Sequence, residues 1–183
     1  VLLKEQGRLK EAEASLRQAT VLKSDYAVAH SNLGNTLQEQ GRLKEAEASL
    51  RQAITLKPDF AEAHFNLGNT LKDLGKLDEA EASLRQATVL KSDFAEAHSN
   101  LGNTLQEQGR LNEACFAYIQ AINLNPDFTD AYENLGIVIK NLSFNSSNVE
   151  LYPVLIRLLT NGNFARPRDL APSILSLLKH DPL

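Results

Sequence analysis

The sequence predicts an all-α solenoid, a stack of antiparallel helix pairs, and three observations predict it. Residues 27–60, 61–94 and 95–128 align as blocks of 34 without a gap. Apolar residues recur at helical rather than strand spacing inside every block, and a glycine punctuates each block at the same place. Equal spacing without insertions puts each block in the same environment, which is how a unit behaves when it buries its apolar face only against its neighbours.

Residues 1–26 match the end of the unit, a partial repeat beginning at its ninth position, and 129–142 match its opening as a half repeat. Within 61–94 the first helix is expected from about Glu62 to Leu74, with Ala63, Leu67, Leu71 and Leu74 on one face. Gly75 supplies a left-handed C-terminal turn, and Gly7, Gly41 and Gly109 are expected to do the same. The second helix is expected from about Leu77 to Lys91, with Leu77, Ala80, Leu84, Ala87 and Leu90 along its face. Asp59 with Glu62, and Asp93 with Glu96, have the spacing of a capping box for the next first helix. Gly34, Gly68, Gly102 and Gly136 sit mid-helix, where glycine costs ~1 kcal/mol relative to alanine. That recurring cost predicts a place where another helix approaches closely. Ala46/Ala53, Ala80/Ala87 and Ala114/Ala121 provide small facing surfaces, and Leu50, Leu84 and Tyr118 fill the adjoining hole.

Beyond residue 142 the pattern stops. Residues 143–183 read as two non-repeat helices, about 149–160 and 168–180, expected either to cap the last repeat or to form a junction to a further domain. The chain contains no Met and opens in mid-unit, so it reads as a piece of a longer protein.

Composition excludes several function classes. With 43% hydrophobic and 23% charged residues the chain is foldable and soluble. No apolar run approaches the ~18 residues that a membrane span needs. A formal charge of −4 and no Lys/Arg cluster argue against a nucleic-acid partner. One cysteine, Cys115, and no signal peptide point to a reducing, cytoplasmic setting. No catalytic motif is present, so no enzymatic activity is expected of this segment. Glu11/Glu13, Glu45/Glu47 and Glu79/Glu81 recur beside Arg17, Arg51 and Arg85, which reads as a solvated face with local ion pairs. Metal and cofactor sites are not expected. His30, His64 and His98 recur at constant spacing, but packed helices lie ~8–10 Å apart, too far for two to share an ion.

This pattern resembles the tetratricopeptide repeat (TPR). Leu-Gly at the seventh and eighth positions appears as Leu33-Gly34, Leu67-Gly68, Leu101-Gly102 and Leu135-Gly136. The helix-B alanines and the terminal prolines Pro58 and Pro126 match as well, whereas the fourth position, usually aromatic, is His in three blocks and Tyr132 in the last. The resemblance covers residues 1 to about 142. It implies a right-handed superhelix whose first helices line a concave groove for peptides or partner proteins.

Positions two, five, six, nine, twelve and thirteen of the first helix are expected on that groove. The sixth is always asparagine: Asn32, Asn66, Asn100 and Asn134. The ninth is Asn35, Asn69 and Asn103, then Ile137. A carboxamide both donates and accepts, so a double row of them suits an extended peptide backbone whatever its sequence. The row resembles the asparagine ladder in the TPR arrays of O-linked N-acetylglucosamine transferases and similar bacterial proteins. The same asparagines could equally be kept for helix-end or inter-repeat hydrogen bonds. Phe65 is expected as an apolar anchor in the groove, with Lys72 at the twelfth position beside it. The basic residues that some TPR domains carry at positions five and thirteen to clamp a C-terminal carboxylate are absent. Two functions stay open: an interaction scaffold acting through its groove, or the substrate-recruiting arm of a glycosyl- or methyltransferase whose catalytic part lies elsewhere. Self-association through an open end of the array is a third expectation.

Overall fold

The structure, a computed structural model, describes residues 2–23, 25–141 and 156. Among them there are eight complete helices and no strand. The chain divides into two compact units, Val1–Ser92 and Asp93–Leu183.

The first unit holds α1 (Leu2–Leu22), α2 (Ala27–Glu39), α3 (Leu43–Leu56), α4 (Ala61–Asp73) and α5 (Leu77–Leu90). Consecutive helices pack on one another, and α2 also lies beside α4, so the first helices of neighbouring repeats are adjacent. The second unit holds α6 (Ala95–Glu107), α7 (Leu111–Leu124) and α8 (Thr129–Lys140), again packed consecutively with α6 beside α8. This is the antiparallel-pair solenoid that the sequence predicts.

Each pair is closed by a tight turn. At Gly75 (φ 74°) the backbone is left-handed, its N–H donating to the Lys72 carbonyl at 2.8 Å while Lys76 N–H reaches Leu71 O at 2.9 Å. That double bond is the Schellman arrangement, and it satisfies carbonyls the helix end leaves open. The pattern repeats at Gly41 and Gly109.

The mid-helix glycines are where the pair touches. A Cβ at Gly34 would lie 2.5 Å from Leu50 Cγ, and one at Gly68 would lie 2.6 Å from Leu84 Cγ. At Gly102 the neighbour is Tyr118, whose Cε1 would be 2.6 Å away. Ala46, Ala53, Ala80, Ala87, Ala114 and Ala121 are fully buried on the opposing helices. The small-residue faces predicted from the repeats therefore meet, and the Leu or Tyr side chain occupies the space that glycine leaves.

Two expectations are corrected. Gly7 does not form a turn: α1 runs unbroken through it, and nothing beyond its own stretch of helix backbone lies within 4 Å of the site its Cβ would take. The capping boxes also fail to form. The N-cap residues are Phe60 and Phe94, without a side-chain cap, because each helix starts one residue later than Asp59 or Asp93 would need. Glu62 and Glu96 remain in the first turn, where a carboxylate complements the helix dipole. The predicted non-repeat helices of 143–183 lie outside the described residues, apart from Ile156, which is helical and exposed.

Candidate functional site

The face built by the first helices is best followed one unit at a time. In residues 1–92, α2 and α4 stand side by side, tied by Gln38 Nε2 donating to Asp73 Oδ2 at 3.0 Å. Asn32 and Asn35 are exposed; Asn66, Asn69, Phe65 and Lys72 are half-buried. Asn35 Nδ2 donates to Glu39 Oε1 at 3.2 Å. No hydrogen bond within the described residues engages the Asn32 or Asn66 carboxamide, although their backbone carbonyls accept from Thr36 and Thr70 at 2.9 Å. These buried threonines at the tenth position carry no signal in the sequence that would single them out. Each bonds back one turn, an arrangement that bends helices slightly.

In residues 93–183 the equivalent carboxamides are drawn together. Asn134 Nδ2 of α8 donates to Asn103 Oδ1 of α6 at 3.1 Å, and Asn103 Nδ2 lies 3.4 Å from Asn100 Oδ1. Tyr118 Oη lies 2.7 Å from the same Asn103 oxygen and 2.9 Å from Gln106 Oε1. Burial, with the charge of Glu107, pushes the Tyr118 phenol above its ordinary range. The inter-repeat role that sequence left open is thus realised at Asn103 and Asn134. Tyr118 is the signal: where Leu50 and Leu84 end in methyls, its hydroxyl reaches the amide row.

The fifth position departs from expectation. Ser31 and Ser99 are only 3% and 2% exposed, whereas Phe65 is half-buried and Glu133 exposed. Phe65 is not alone as an apolar group on the face: Val28 and Ile137 are exposed at positions two and nine. His64 Nε2 lies 3.0 Å from the Pro58 carbonyl, so the tautomer carrying that proton donates to it. Among the described residues no group of three potential ligands is placed to hold a metal ion. Cys115 is buried, which pushes its thiol up to about 12.

The second helices carry an ionic lattice that spacing alone reads as local. Glu13 accepts from Arg17 at 2.8 Å, one turn away, and from Arg42 at 2.7 Å across the repeat; Arg42 also donates to Glu45 at 2.6 Å, and Arg17 to Glu45 at 3.1 Å. One repeat on, Glu47 pairs with Arg51 and with Lys76 across the repeat, and Arg51 with Glu79, repeating three of these four contacts. The guanidinium groups of Arg17 and Arg42 hold Glu13 down to about 2. Arg42 lowers Glu45, and Lys76 lowers Glu47, in the same way.

A TPR-repeat family model matches residues 2–41, 34–75, 68–109 and 102–143. The chain belongs to the TPR-repeat family. The pair geometry above is accordingly that of TPR helices A and B, and solved TPR proteins share it. MamA superposes with a TM-score of 0.72 at 20% identity, over 96% of this chain and 92% of that one. YrrB, described as a TPR protein with an unusual peptide-binding site, gives 0.67 at 22% identity over 96% and 86%. The first TPR of Spaghetti (RPAP3), bound to the HSP90 peptide SRMEEVD, gives 0.63 at 23% identity over 64% and 94%. At these identities the likeness speaks to the fold. No curated protein matches the chain. No described helix is long and apolar enough to cross a membrane.

Proposed function

We propose that this chain is a protein-interaction scaffold that holds an extended segment of a partner protein on its TPR first-helix face. The observation that carries the reading is the pair of equivalent carboxamides Asn32 and Asn66, presented on adjacent helices with no internal hydrogen bond among the described residues. A backbone offers a carbonyl and an N–H at each residue, and a carboxamide answers both. Asn35 and Asn69 stand beside them in residues 1–92, and in residues 93–183 Asn100, Asn103 and Asn134 form the equivalent set, with Asn103 and Asn134 also tying α6 to α8. Phe65 offers an apolar contact beside it, and Lys72 a cation. The peptide-binding site of YrrB and the peptide held by the RPAP3 repeats support a partner of this kind.

The test is binding of an uncharged, terminally blocked peptide to the intact chain and to the variant Asn32→Ala/Asn66→Ala. Two lost hydrogen bonds of ~0.5–1.5 kcal/mol each predict affinity down about tenfold. Stability should hold within ~0.5 kcal/mol, as for surface sites. Unchanged affinity would refute the reading.

A further inference from the structure

We propose that the segment held on this face is cationic: an extended stretch of polypeptide with Lys or Arg on both sides of its backbone. The inference rests on the amide reading above, and the carboxylates select the ligand rather than create the site. Positions two, six, nine and thirteen fall within one narrow stripe of a helix. On α4 that stripe reads Glu62, Asn66, Asn69, Asp73, and on α6 it reads Glu96, Asn100, Asn103, Glu107. On these two helices the amide pair is thus bracketed by two carboxylates, ~6 Å beyond the nearest asparagine at ~1.5 Å rise per residue. On α2, by contrast, Val28 and Glu39 flank Asn32 and Asn35. Glu62, Asp73, Glu96 and Glu107 are all exposed.

A peptide crossing the helices at the level of the amides would lie in a trough with acidic rims. Successive side chains of an extended chain point to opposite sides, so long cationic side chains would reach both rims while the backbone meets the carboxamides. In residues 1–92 the face carries Glu39, Glu62 and Asp73 against Lys72, and in 93–183 it carries Glu96, Glu107, Asp130 and Glu133 against Lys140. Several of these carboxylates are engaged within the chain, two of them by exposed contacts. Asp73 accepts from Gln38, and Glu62 lies 3.7 Å from Lys91 in a pair about half exposed. Exposed contacts of this kind are readily exchanged, and a carboxylate has further lone pairs to offer. An acidic peptide such as the one on the RPAP3 repeats would meet like charge here, which discriminates against it.

The experiment uses the full chain and three blocked peptides of equal length, alternating Ser with Lys, with Glu or with Ala. The Ser/Lys peptide should bind about tenfold more tightly than Ser/Ala at low ionic strength, and Ser/Glu more weakly than either. Added salt should shrink that advantage. Glu62→Gln/Asp73→Asn and Glu96→Gln/Glu107→Gln should each reduce the ratio of Ser/Lys to Ser/Ala affinity about threefold or more. A charge-matched control away from the face, Glu11→Gln/Asp25→Asn, should retain it. Equal binding of Ser/Lys and Ser/Glu, or equal loss in the control, would overturn the inference. Failure of Ser/Ala to bind at all, or its indifference to Asn32→Ala/Asn66→Ala, would instead overturn the amide reading beneath it.

Discussion

Replacing Gly68 by alanine sets two effects of known sign against each other. In the middle of a helix the change gains about 1 kcal/mol in propensity. The new methyl carbon would lie 2.6 Å from Leu84 Cγ, 3.0 Å from Leu84 Cδ2 and 3.3 Å from the Ala80 carbonyl. Leu84 is fully buried, and the clash is with its branch carbon rather than a mobile tip, so α4 and α5 must separate. Overpacking of that kind costs ~1–3 kcal/mol, and the absence of any local relief puts this site at the upper end. The net expectation is a loss of ~1–2 kcal/mol, a fall in Tm of roughly 3–6 °C for a chain of this size. Thermal unfolding followed by circular dichroism measures it. Leu84→Ala alone should cost ~2–5 kcal/mol, and in the double variant the methyl introduced by Gly68→Ala should occupy part of the hole, a coupling above ~1 kcal/mol. Gly7→Ala is the internal control. Its Cβ meets nothing beyond its own stretch of helix backbone within 4 Å, so it should stabilise by ~0.5–1 kcal/mol. A Gly68→Ala chain as stable as wild type would refute the close approach, and a destabilised Gly7→Ala would restore the turn that spacing predicts there.

Two further predictions concern polar networks. Glu13, Glu45 and Glu47 are held below the ordinary carboxylate value of 4.5, Glu13 down to about 2. A depressed carboxylate contributes stability above its unfolded value and loses it as pH falls through the folded one, so the urea midpoint should decline from about pH 4.5 towards pH 2. Arg42→Gln should flatten that decline, and an unchanged slope would contradict the lattice. Tyr118→Phe removes a hydroxyl shared by Asn103 and Gln106 and should cost ~0.5–1.5 kcal/mol, measured by urea unfolding; a neutral result would dissolve the network.

Much of the fold is legible in the repeats alone. The glycine, alanine and leucine positions that close each helix pair recur in every block, because the same packing constraint acts in each. What is illegible depends on distances that no local spacing encodes. Arg42 reaches Glu13 across the repeat, a sequence separation without meaning until α1 and α3 are laid near one another. Position five lies on the flank of the asparagine stripe, ~100° from position six, and there Ser31 and Ser99 are buried while Phe65 is half-buried. Asn103 reads like Asn35 and Asn69 in the sequence, and it is the Leu-to-Tyr replacement at 118 that brings a hydroxyl to it. The missing capping boxes turn on a one-residue shift of the helix start, within the ordinary uncertainty of a helix end.

The most direct test is nuclear magnetic resonance of the asparagine side-chain NH₂ groups during titration with the blocked, uncharged peptide. Saturable shifts of the Asn32 and Asn66 carboxamide signals, lost in the titration of the double alanine variant, are the predicted result. Shifts confined to the second helices, with both carboxamides unmoved, would contradict the account.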